Sequence, residues 1–139
     1  MLNGNTIELG VCYYPEHWDT SFWKEDMLRM KSYGIGVIRV AEFAWNLFEP
    51  EEGRFDLSLF ERALETFQKY GIDVCLCIPT PTPPRWFTCK YPDALIKNAD
   101  GTVMVHGSRQ HVCTNSLPRL KGVHDQNPFH DVLELANVA

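Results

Sequence analysis

Side chains able to do chemistry gather at a few places in this 139-residue sequence. Tyr13-Tyr14-Pro15-Glu16-His17-Trp18 sets four aromatic or heteroaromatic rings in six positions. Such a run suits a stacking wall for a ring-shaped ligand such as a sugar, and equally a rim of packed aromatics that anchors a loop. Arg39 stands inside the apolar run Val37-Ile38-Arg39-Val40-Ala41, with Glu42-Phe43-Ala44-Trp45 directly after it. A cation buried in such a run is costly without an acid beside it. It serves either as half of an ion pair joining two strands or as a charge that lines a polar pocket and bonds a carboxylate. Arg39 and Glu42 are three apart, so they share a strand face only if the backbone turns after Ala41.

Pro79-Thr80-Pro81-Thr82-Pro83-Pro84-Arg85-Trp86 places four prolines in six residues. Prolines fix φ and remove donors, so the segment is a stiff loop rather than a flexible lid. Trp86 at its end is a core plug or a platform. Gly107-Ser108-Arg109-Gln110-His111-Val112-Cys113 mixes donors with one thiol. His111 and Cys113 could share a metal, but two ligands do not make a site and a lone His-x-Cys is usually structural.

The elements that must position these groups follow from periodicity. Ile7 to Cys12 reads as a short strand. Asp19, Thr20 and Ser21 offer N-cap oxygens to a helix whose Trp23, Met27 and Met30 share a face, and Gly34 stops it. Val37 to Ala41 is a second strand. Asp56 can cap a helix carrying Phe60, Ala63 or Leu64, and Phe67 on one face, closed by Gly71. Val74 to Ile78 is a third strand, apolar enough to be buried on both faces. Strands alternating with helix-length spacers mean βαβ units, hence α/β with a parallel sheet. An open doubly wound sheet and a barrel compete. No Gly-rich phosphate fingerprint follows the first strand, and the unusual residues cluster just after each strand, where barrel enzymes keep their sites. Both points favour the barrel.

Composition sets limits. An apolar fraction of 45% with 22% charged residues is that of a globular protein. A net charge of −5 without a basic stripe excludes a nucleic-acid surface. The N-terminus lacks a basic start and an apolar segment, so no secretory signal is read, and no run approaches the length of a membrane span. Five cysteines, an odd count, point to reduced thiols in a cytoplasmic protein.

The motifs taken in order resemble one family. Gly10-Val11-Cys12-Tyr13-Tyr14-Pro15-Glu16-His17-Trp18, Arg39-Val40-Ala41-Glu42-Phe43-Ala44-Trp45 and Glu49-Pro50-Glu51-Glu52-Gly53-Arg54-Phe55-Asp56 are similar to segments of glycoside hydrolase family 42 β-galactosidases. So are Thr80-Pro81-Thr82-Pro83-Pro84 with Trp86, and Gly107-Ser108-Arg109-Gln110-His111. The Glu-Pro to Gly-Arg-Phe-Asp element is shared by related barrel glycosidases; the Cys-Tyr-Tyr-Pro-Glu and Thr-Pro-Thr-Pro-Pro elements are far more specific. The resemblance runs over roughly residues 9–116. It implies a retaining enzyme on a (β/α)₈ TIM barrel that cleaves terminal β-D-galactosyl residues with two glutamates about 5 Å apart. It also implies that Arg39, Glu42 and Arg109 line the galactose pocket, with Trp45 and Trp86 as candidate walls. By the same resemblance Arg39 supports the nucleophilic carboxylate, and Arg109 donates to sugar hydroxyls or to a pocket carboxylate. No cofactor is required. Cys113 matches a cysteine that in some full-length members joins three later ones around zinc. The expected ligand is a small-molecule β-galactoside, with no nucleic-acid or membrane partner, and full-length relatives are often homotrimers.

The sequence departs from the family in two respects. Its acid/base glutamate follows an asparagine, and no Asn-Glu dipeptide occurs here. A barrel takes about 250 residues, which three βα units cannot supply. The expectation is therefore the N-terminal portion of a barrel, about three βα units and incomplete, over residues 1–116. Residues 117–139 form an atypical tail, read as frame-shifted or disordered. The chain alone is expected to be inactive. The competing readings are a non-catalytic galactoside-binding module and a fragment complementing a second chain.

Overall fold

A computed structural model describes residues 7–104 of the chain. They fall into two compact units, residues 7–40 with 58–77, and residues 41–57 with 78–104. The division expected at residue 117 lies outside the described residues.

The first unit is a parallel sheet of β1 (Leu9–Cys12), β2 (Ile35–Val40) and β3 (Asp73–Leu76), in that order. Helix α1 (Thr20–Ser32) links β1 to β2, and α3 (Ser58–Lys69) precedes β3. Asp19 caps α1 by accepting from the Ser21 N–H at 2.9 Å. In α3, Phe60, Ala63, Leu64 and Phe67 are all buried, an i, i+3, i+4, i+7 stripe. These meet Trp23 and Met27 of α1 with Ile38 and Val40 of β2, each no more than 2% exposed. Full burial of a side chain such as Phe60 or Phe67 contributes roughly 1.5–3 kcal/mol. Tyr13 joins this core, edge-on to Phe67 with ring centroids 5.8 Å apart.

All three strands differ from expectation at their ends, β1 starting at Leu9 rather than Ile7. β2 starts at Ile35 and stops at Val40, because Ala41 takes a φ of 71° and leaves the extended region. β3 ends at Leu76, although the Cys77 N–H still donates to the Val40 carbonyl at 3.0 Å. Burial of β3 on both faces is not what the described residues show: Asp73 and Cys75 are exposed while Val74 and Leu76 are half-buried. The physical reason is that α1 and α3 pack on one face of the sheet, and the pleat sends alternate side chains to the other.

β1 approaches β2 closely. A Cβ added to Gly10 would lie 2.6 Å from Val37 Cγ1 and 3.2 Å from the Val37 carbonyl oxygen. We expect Gly10→Ala to destabilise the chain by about 1–3 kcal/mol, the usual cost of forcing a methyl into packed space. Urea unfolding should show a lower midpoint at an unchanged slope. An unmoved midpoint would show that β1 shifts freely away from Val37.

Candidate functional site

Within the first unit, Arg39 lies on the sheet face turned away from α1 and α3, and its side chain is exposed. Its register partners are Cys12 on β1 and Cys75 on β3. Gly10, Cys12, Val37, Arg39 and Cys75 help line an open depression of about 250 Å³ there. Arg39 Nε donates to Cys77 Sγ at 3.1 Å. The charge within an apolar strand thus avoids the desolvation cost weighed above, since the pleat that buries Ile38 and Val40 puts Arg39 outside.

The aromatic run after β1 divides its labour. Tyr13 is 6% exposed and donates its hydroxyl to Asp26 Oδ2 at 2.8 Å. Burial first, and then Asp26, push its phenol well above the usual range. Trp23 Nε1 donates to the Pro15 carbonyl at 3.3 Å, tying the segment to α1. Tyr14 stacks on His17 at 5.4 Å, and Trp18 remains 57% exposed. Tyr13 is therefore a packed anchor, whereas His17 and Trp18 are exposed and Tyr14 is half-buried. Glu16 is half-buried with Oε2 shielded and unpartnered among the described residues; burial raises its pKa, opposed by its own backbone N–H and by His17.

In the second unit the backbone turn at Ala41 comes directly before Glu42. A non-glycine residue in that conformation stores roughly 1–2 kcal/mol of strain. Glu42 is half-buried. The short helix α2 (Trp45–Phe48) carries Trp45, which is 4% exposed, and leads to Glu49, 1% exposed. Glu49 Oε2 accepts from Trp45 Nε1 and Oε1 accepts from the Gly53 N–H, each at 2.8 Å. Gly53 has a φ of 76°, which the turn requires. The Glu49 carbonyl accepts from Trp86 Nε1 at 2.8 Å. Trp86 is half-buried at the start of α4 (Arg85–Lys90), edge-on to Trp45 with centroids 6.4 Å apart. Phe87 and Tyr91 complete the aromatic cluster. Glu52 pairs with Lys90 and accepts from the Tyr91 hydroxyl at 2.8 Å; the Lys90 bond first, then Tyr91, holds its carboxyl below the usual range.

Of the expected site residues, Trp45 is a core side chain and Trp86 keeps partial exposure. Arg109, Cys113 and His111 lie outside the described residues. Among the described residues no group of three or more His, Cys, Asp or Glu is placed to hold a metal. Sequence reading missed Glu49 as a hub, although Trp45, Glu49 and Gly53 follow at intervals of four.

Residues 12–123 match the model of glycoside hydrolase family 42, described as β-galactosidase. The chain belongs to this family. A β-galactosidase of Halorubrum lacusprofundi is 44% identical over 110 residues, 79% of this chain and 16% of its own length. One from a Thermus species is 46% identical over 108 residues, 78% of this chain and 17% of its own. The crystal structure of a β-galactosidase from the psychrophilic Marinomonas ef1 superposes with a TM-score of 0.78 at 38% identity, covering 86% of this chain and 18% of that one. The chain thus spans about a sixth of the length of the curated relatives it matches. The choice between open sheet and barrel is decided: β1 to β3 with their helices are part of the family 42 (β/α)₈ barrel.

Two outcomes test these local arrangements. Glu49→Ala orphans the indole and Gly53 donors in a buried place and should cost at least about 2 kcal/mol in unfolding free energy; a loss below about 0.5 kcal/mol would mean that the donors find other acceptors. For Glu16, a raised folded pKa means that its favourable contribution is present below the unfolded value of 4.5 and fades as pH rises through the folded value. Glu16→Gln should therefore gain stability relative to the parent between about pH 4 and about pH 7, read from paired urea titrations. Parallel pH profiles would contradict the assignment.

Proposed function

We propose that these residues supply the first βα units and part of the sugar pocket of a retaining β-galactosidase that releases terminal β-D-galactosyl groups from small β-galactosides. The observation carrying this reading is Arg39 on the uncovered face of β2, at the strand's C-terminal end, within the stretch matched to the family. In this reading Arg39 keeps the nucleophilic carboxylate ionised, since a nearby cation favours the charged acid. Glu42 and Arg109 bond sugar hydroxyls. Trp86 offers a platform, and Trp45 supports it from beneath with its indole N–H on Glu49. Acid/base and nucleophile glutamates are supplied by sequence other than these 139 residues, which by themselves do not turn over. In this reading the barrel portion spans residues 1–116 of the sequence and residues 117–139 are an atypical tail in sequence.

The chemistry needs no cofactor; where relatives hold zinc, Cys113 would supply one ligand. A cytoplasmic protein without nucleic-acid or membrane partners completes the reading, with homotrimers a property of full-length relatives. No helix among the described residues is long and apolar enough to cross a membrane.

The decisive experiment grafts residues 1–116 in place of the matching segment of the Halorubrum lacusprofundi β-galactosidase and assays a nitrophenyl β-galactoside. Hydrolysis is expected from the chimaera, with Arg39→Ala in it lowering kcat/KM by about 10²–10³-fold, and none from the 139-residue chain alone. A folded chimaera without hydrolysis sinks the proposal. Turnover by the short chain, abolished by Arg39→Ala, would place working acids within these residues.

A further inference from the structure

Both supports of Trp86 trace back to one residue of the second unit. Glu49 is 1% exposed and stands directly after α2, its N–H donating to the Trp45 carbonyl at 2.8 Å. Its carboxyl accepts from Trp45 Nε1 and from the Gly53 N–H, each at 2.8 Å. These bonds fix the backbone at Glu49, and with it the direction of its carbonyl. That carbonyl accepts from Trp86 Nε1 at 2.8 Å. The ring of Trp45, held by the same carboxyl, meets the ring of Trp86 edge-on, with centroids 6.4 Å apart and planes at 88°. Trp86 itself lies in the first turn of α4, six residues long and directly after the proline loop. A helix that short contributes little order of its own, so the orientation of the half-buried indole depends on Glu49.

We propose that Glu49 is a positioning residue for galactoside binding, acting through Trp86 without touching the sugar. The inference rests on the proposed reading of Trp86 as a platform. Aromatic stacking depends on ring orientation, so a platform that swings loses its contact although the ring is still present. The Trp86 nitrogen is committed to the Glu49 carbonyl, so the ring offers a ligand its π-face and no donor. Such a surface takes the C–H face of a sugar ring rather than a hydroxyl oxygen. Held alike in the ground and transition states, stacking of this kind moves KM and not kcat.

The test uses the chimaera carrying residues 1–116, with hydrolysis of the nitrophenyl β-galactoside followed over a range of concentrations. Glu49→Gln keeps the size of the side chain but turns one of its two acceptor oxygens into a donor. It should raise KM by about 3–10-fold and leave kcat in place. In a Trp86→Ala background the same substitution should move KM no further, because the ring it orients is gone. Should Glu49→Gln fail to fold, Trp45→Phe removes one donor to the carboxyl, keeps a ring, and should shift KM in the same direction. An unchanged KM in a folded, active variant, a fall in kcat at constant KM, or equal KM shifts with and without Trp86 would overturn the proposal and leave the hydrolase reading standing. A folded chimaera that does not hydrolyse at all sinks that reading, and this inference with it.

Discussion

The pleat of β2 governs the chemistry available to the first unit. Because successive side chains on a strand alternate, the packing of Ile38 and Val40 beneath α1 and α3 leaves Arg39 no choice but the opposite face. A slip of one residue would bury the guanidinium and expose both apolar chains, at a cost far beyond any local gain. The same alternation carries Cys12 and Cys75 to that face as the register partners of Arg39. Hydrophobic packing on one side of the sheet thus positions the polar residues on the other, with no polar interaction needed to specify them.

The second unit solves a different problem, that of building an ordered aromatic cluster on short elements. Helix α2 is a single turn and α4 little more, too short for intrinsic helix stability to hold them. The Glu49 carboxyl supplies the missing constraint by joining an indole N–H to a backbone N–H, while its carbonyl takes a second indole. Each tryptophan nitrogen is thereby satisfied as its ring is buried or half-buried, which lets the rings pack against Phe87 without an orphaned donor. The glycine of the Gly-Arg-Phe-Asp element has a physical basis in this turn. Gly53 can take the positive φ that aims its N–H at Glu49.

Strain and satisfaction trade across the end of β2. Ala41 sits fully buried in a conformation costly for any residue with a Cβ, and the turn there releases the chain from the extended region directly before Glu42. Strain of this kind persists where neighbours on both sides are fixed. Here Val40 is locked in the core, and the Ala44 N–H bonds the Ala41 carbonyl at 3.1 Å.

The sequence by itself determined the order of the three strands with α1 and α3, the helix stripes and the family, but not the short helices α2 and α4. Period-two and period-3.6 patterns are local, and Asp19, Gly34 and Gly71 mark ends through backbone chemistry that acts within a turn. The spacing of Arg39 and Glu42 set only a condition, a shared strand face if the backbone turned after Ala41; the positive φ at Ala41 came from the structure. Only the tertiary structure decided which aromatics pack and which stay open. Tyr13 and Tyr14 are neighbours of one type, yet Tyr13 enters the core with its hydroxyl on Asp26 while Tyr14 stacks on His17. Likewise Trp45 is core with its indole N–H on the Glu49 carboxylate, while Trp86 packs at the edge of the cluster with its N–H on the Glu49 carbonyl. Contacts such as Arg39 with Cys77, 38 positions apart, are invisible to any local pattern. They arise from strand register, which is settled by burial summed over the whole unit rather than by the residues that end up touching.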